Sequence, residues 1–211
     1  RVRLQLGELD AALDALETAI EIYRARQDPR AQLRCLLRGG DACLDSGEYQ
    51  RGTTWFGRAL DLSAGDSAAM RGAARAAAGL EQYADAARLW RELFDAGIEA
   101  PTVQAHYACE LGRNLLAAGQ RDEARAPLER AAKTGDAHTR ADARALLAPM
   151  LLEDGDRDAA IAHYQEGIES LLAIDGDSEL ATLTGREGPD IAERAAELSV
   201  ERAALLKEAG D

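Results

Sequence analysis

The stretch Leu111-Gly-Arg-Asn-Leu-Leu-Ala-Ala-Gly-Gln-Arg-Asp-Glu-Ala-Arg-Ala-Pro-Leu-Glu-Arg-Ala131 decides the fold. Apolar residues recur at three- and four-residue spacing on both sides of Gly119, which reads as two helices joined at a glycine. In the second helix a small residue, Ala124, is followed four positions later by the bulky Leu128. The same phrase recurs outward in both directions, at Gly7-Glu8-Leu9, Gly47-Glu48-Tyr49, Glu81-Gln82-Tyr83 and Gly155-Asp156-Arg157. Its small residues are Ala12, Gly52, Ala86 and Ala160, and its bulky ones Leu16, Phe56, Trp90 and Tyr164. Successive small residues are 40, 34, 38 and 36 positions apart, a period that marks a solenoid of helix hairpins.

Helix boundaries follow from local chemistry. A truncated helix over about 1–5 precedes its partner at 8–25, and pairs follow at 29–45 and 48–63, 66–79 and 82–95, 101–117 and 121–133, and 137–153 and 157–174. Asp28, Asp66 and Asp136 are placed to cap helices, Asp28 with Pro29 at the first helical position, where its missing N–H costs nothing. Pro127 and Pro149 fall inside helices and should kink them. The polar stretch 175–188 breaks the rhythm as an inserted loop, and a last helix, 190–209, begins a further repeat. The chain reads as a single array over 1–211, its incomplete outer units implying neighbours on both sides.

Small residues where two helices cross let their axes approach, and the bulky residue four later fills the gap beside the crossing. This pattern resembles the tetratricopeptide repeat family, whose first helix carries Leu-Gly and whose second carries Ala-x3-aromatic. The fourth unit matches with Leu111-Gly112, Leu115, Ala124 and Leu128, the fifth with Leu147-Ala148, Leu151, Ala160 and Tyr164, and the second with Gly39-Gly40, Gly52 and Phe56. The resemblance implies an all-α, right-handed superhelical solenoid of antiparallel helix pairs that binds a peptide or partner protein in a concave groove. The long repeats resemble arrays of bacterial signalling and transcription regulators, which implies a cytoplasmic, non-enzymatic module of a larger protein.

Composition narrows the partner. The chain has 211 residues and a net charge of −13, so phosphate backbones and anionic membranes would repel it. It contains no apolar run near the length of about 20 residues needed to span a bilayer. Lys133 and Lys207 are its only lysines. That arginine bias suits specific carboxylate contacts, or reflects GC-rich coding. The scattered thiols Cys35, Cys43 and Cys109 form no disulfide framework and read as reduced core residues.

By the resemblance, the first helices of successive pairs line the groove. This places Arg34, Leu37, Arg38 and Asp41 there, then Arg71, Gly72 and Arg75, then His106, Cys109, Glu110 and Arg113, and beyond them Asp142 and Ala145. Arg34, Arg38, Arg71, Arg75, His106 and Arg113 are the candidate peptide-binding residues. Arg71 and Arg75 have no acid three or four positions away, so pairing within their helix does not explain them. An acidic segment or C-terminus of a partner fits such a strip, and the competing reading pairs these arginines with acids on neighbouring repeats. Leu37 and Asp41 stand where the family's chaperone-binding clamp carries Lys and Asn, which disfavours chaperone tails.

No catalytic, metal or cofactor site is expected. His106 and Cys109 share a helix face but lack further ligands or an orienting group. Asp154-Gly-Asp-Arg-Asp158 and Asp175-Gly-Asp-Ser-Glu179 lack the glycine at the sixth position and the glutamate at the twelfth that a calcium loop carries. The alternatives to a peptide-binding scaffold are a self-assembly module stacking through its end helices, and an accessory domain of a larger enzyme.

Overall fold

In a computed structural model, residues 2–172 and 188–210 are described, with side chains over 8–172 and most of 193–207. The described residues form ten helices: α1 (Val2–Ala25), α2 (Pro29–Asp45), α3 (Tyr49–Leu62), α4 (Ser67–Gly79), α5 (Tyr83–Ala96), α6 (Pro101–Ala117), α7 (Arg121–Thr134), α8 (Ala137–Glu153), α9 (Arg157–Leu172) and α10 (Gly188–Gly210). They fall into two compact units, Arg1–Ala96 and Gly97–Asp211. The fold is all-α, a succession of helix hairpins. In the first unit α2 pairs with α3 and α4 with α5, while α1 packs on α2 and α3 on α4. In the second, α6 pairs with α7 and α8 with α9, while α7 packs on α8 and α10 on α9.

The expected caps form. The carboxylates of Asp28, Asp66 and Asp136 accept the backbone N–H groups of Ala31, Ala69 and Thr139 at 2.9, 2.9 and 2.8 Å. Pro127 and Pro149 lie inside α7 and α8. Most of the inserted loop, and with it Asp175–Glu179, lies outside the described residues.

Two expectations about the first repeat are corrected. The helix runs unbroken from Val2 to Ala25, so Gly7 separates no short helix over 1–5 from a second one. A glycine inside a helix costs about 1 kcal/mol, which good helix formers on either side can offset. Ala12 is exposed, whereas Gly52, Ala86, Ala124 and Ala160 are buried. The small residue is buried only where a first helix lies across it, and no described helix precedes α1.

The hairpin turns show what the recurring phrase encodes. Gly47, Gly119 and Gly155 have φ of 73°, 75° and 82°, the left-handed conformation that ends a helix. In the α4–α5 hairpin Glu81 takes this place with φ 60°, a cost that a side chain bears and glycine does not. Gly52 is the reverse case, a helical glycine whose added Cβ would lie 3.6 Å from Cys43 Cβ and from a Leu44 methyl, ordinary contact distance. Glu81→Gly and Gly52→Ala are therefore each expected to stabilise the first unit by about 0.5–1 kcal/mol in urea unfolding. Unchanged or lowered midpoints would show that the turn or the crossing is built differently.

Candidate functional site

Arginine does two jobs in this chain, and the structure separates them. At several places it ties neighbouring helices together. Arg51 of α3 reaches Asp10 of α1 at 2.8 Å, and Arg58, also of α3, pairs with Glu17 while its guanidinium lies 5.0 Å from the Trp55 ring centre. In the second unit Arg121 donates to Asp154 and to the Met150 carbonyl, both at 2.5 Å, and Arg125 donates to the same Asp154. Hydrogen bonds from Arg121, and then from Arg125, hold the Asp154 carboxyl below its ordinary range against the cost of burial. The turn that superficially resembles a calcium loop thus spends its first carboxylate on two guanidinium groups. Arg144 reaches Glu166 and Ser170, each at 2.9 Å, and Arg157 donates to the Leu205 carbonyl of α10 at 2.5 Å.

A second group of arginines behaves differently. Arg34 and Arg38 stand one turn apart on α2, Arg71 and Arg75 one turn apart on α4, and all four are exposed. Helices α2 and α4 lie against each other. None of the four makes an ion pair within 4 Å among the described residues. The carboxylate that Arg75 and Arg71 do feel is Asp41 of α2, at longer range. Partial burial pushes the Asp41 carboxyl up, Arg75 and then Arg71 pull it back, and Asp45 adds to the rise. The competing expectation is thus met only in part, since a neighbouring acid is present but no ion pair closes on it.

Beside Arg34 and Arg38, between α1 and α2, lies a cavity of about 360 Å³ lined by Tyr23, Ala31, Arg34, Cys35, Leu37 and Arg38. Tyr23 and Leu37 are partly buried and rest on the core of Leu9, Leu13, Ile20, Leu36 and Trp55. The cavity therefore joins an apolar floor to a basic rim. Sequence reasoning named Arg34, Leu37 and Arg38 but missed Tyr23, because α1 is a second-of-pair helix whose role in a binding face is not written in the repeat phrase.

Other expected positions turn elsewhere. Gly72 is buried against Phe56, not exposed beside Arg71. In the second unit His106 is exposed, but Cys109, one turn on, is 2% exposed, so the two share no accessible face. Burial pushes the Cys109 thiol up to about 12, which keeps it neutral and a poor nucleophile or metal ligand. Ala145 is buried as well. Arg113 lies between Glu110 at 3.4 Å and Asp142 at 3.5 Å, a structural tie between α6 and α8. The structure thus groups Arg34, Arg38, Arg71 and Arg75 in the first unit and leaves His106 and Arg113 in the second.

The sequence matches no protein-family model and no curated protein. Solved structures are similar. A crystal structure of MamA matches with 18% identity and a TM-score of 0.64 over 78% of this chain and 89% of that one. YrrB, described as a TPR protein with an unusual peptide-binding site, matches with 18% identity and a TM-score of 0.61 over 94% of this chain and 100% of that one. A monomeric mutant of IFIT1 with m7Gppp-AAAA matches at 16% identity and a TM-score of 0.51, over 96% of this chain and 48% of that one. Likeness at this identity shows the fold, helix pairs packed as in tetratricopeptide solenoids. No helix among the described residues is long and apolar enough to cross a membrane.

Proposed function

We propose that the chain is a non-catalytic protein-interaction scaffold, and that the α2–α4 face of its first unit docks an acidic segment or carboxyl terminus of a partner protein. One observation carries this reading. Among the described residues Arg34, Arg38, Arg71 and Arg75 close no ion pair and stand on two helices that pack together, in a chain of net charge −13, while Arg58, Arg121 and Arg144 are tied to carboxylates. An exposed guanidinium left without a carboxylate among so many acids is available to bind one bidentately. The peptide-binding site described for YrrB supports a peptide as the kind of ligand this fold accepts. The net charge supports a protein partner over a nucleic acid. His106 and Arg113 are secondary to the proposal, Arg113 being already held by two carboxylates. Repeat steps of 36, 38 and 40 residues, longer than the usual 34, resemble arrays of bacterial regulators and so support a place in a larger regulatory protein.

The test is fluorescence anisotropy with a labelled peptide rich in glutamate and its all-glutamine counterpart, at about 0.05 and about 0.5 M salt. The acidic peptide is expected to bind, to weaken at least tenfold at the higher salt, and to lose binding when its glutamates become glutamines. Equal affinity for the two peptides would overturn the reading.

A further inference from the structure

The α1–α2 cavity adds a second element of recognition to the α2–α4 face, and its role there rests on the docking of an acidic segment proposed for that face. Its floor is apolar, from Ala31, Cys35 and Leu37, and its rim carries Arg34 and Arg38 from one helix and Tyr23 from the other. At about 360 Å³ it lies at the small end of ligand sites, room for one bulky side chain and too little for a folded element. A purely electrostatic surface needs no such recess.

We infer that this cavity takes a single aromatic side chain of the partner segment, with Arg34 and Arg38 stacked at its rim, while acids flanking that residue are held by the same arginines and by Arg71 and Arg75. One principle and two observations favour an aromatic group over an aliphatic one. A guanidinium over a ring face adds an attraction that an aliphatic chain cannot supply. Two exposed arginines one turn apart stand at the cavity mouth without carboxylate partners. Tyr23 offers a ring edge or face to an incoming ring. The chain already uses this geometry in its own core, where Arg58 lies over Trp55 while pairing with Glu17. The ligand is therefore an acidic segment interrupted by one aromatic residue, and the acids place that residue over the recess.

The experiment uses the whole chain and three synthetic fluorescein-labelled peptides: glutamates flanking one phenylalanine, the same peptide with phenylalanine replaced by alanine, and the same peptide with glutamates replaced by glutamines. Losing the phenylalanine is expected to weaken binding by about 10- to 100-fold, the value of burying one such side chain. Because the protein is unchanged, this arm is immune to folding defects. Arg34→Gln with Arg38→Gln, and separately Tyr23→Ala, should lower affinity for the phenylalanine peptide far more than for the alanine one. Equal binding of the phenylalanine and alanine peptides overturns the anchor and leaves the acidic-segment reading standing. A phenylalanine preference that survives all three substitutions overturns the location. Failure of every peptide to bind overturns both readings.

Discussion

Gly72→Ala is expected to destabilise the first unit by about 1–3 kcal/mol, although alanine is the better helix former. A Cβ at position 72 would lie 2.2 Å from Phe56 Cε1 and 2.3 Å from Cζ, and Phe56 is 1% exposed. The ring cannot retreat towards α2, because a Cβ at Gly40 would meet Phe56 Cζ at 2.5 Å. Phe56 of α3 thus sits in a slot opened by glycines on the helices to either side. Phe56→Ala should cost about 3–5 kcal/mol, as loss of a fully buried aromatic does. The two changes together should cost less than their separate effects summed, since the methyl at position 72 enters the space the ring has left. Urea unfolding followed by circular dichroism gives all three values. Strict additivity would mean that Phe56 does not fill that slot. The contrast with Gly52→Ala sharpens the test, because the same chemical change in the same unit is expected to have the opposite sign.

This slot shows what the sequence discloses and what it withholds. The hairpin boundaries were legible because capping aspartates, turn glycines and the small-then-bulky phrase are local signals. The turn at Glu81 was legible by position, as the one place where the phrase lacks its glycine, but its left-handed φ of 60° is imposed by the hairpin and appears only in the structure. The burial of Gly72 beside the exposed Arg71 was missed because the family pattern treats them as neighbours on one surface. Adjacent residues on a helix diverge by about 100°. The exposure of Ala12 was missed for a related reason, since burial of the crossing residue depends on a partner helix that the phrase itself does not supply. Most of all, the ties from Arg121 to Asp154 and from Arg58 to Glu17 span 33 and 41 positions. No local pattern says which arginines those acids claim, and that Arg34, Arg38, Arg71 and Arg75 close no ion pair among the described residues emerges only from the structure.

Replacing both Arg71 and Arg75 by glutamate is expected to weaken acidic-peptide binding by roughly 100-fold or more, and replacing both by glutamine by about tenfold. The gap between the two pairs follows from where the side chains stand. Neutralisation removes two exposed charges that steer and hold an acid, whereas reversal places two carboxylates where Asp41 now feels two guanidinium groups. The fold should tolerate both changes. Arg71 and Arg75 are exposed and close no ion pair among the described residues, and like charges one turn apart destabilise a helix by only about 0.2–0.5 kcal/mol, so removing them costs α4 little. The glutamine pair should keep the helical signal and the melting temperature, and the glutamate pair should melt slightly lower because Asp41 then faces acids. Isothermal titration with the glutamate-rich peptide, read beside thermal melts of the same samples, separates loss of the surface from loss of the fold. Full binding by a folded glutamate pair would assign the four arginines of this face to solvation and remove the basis for a docking site there.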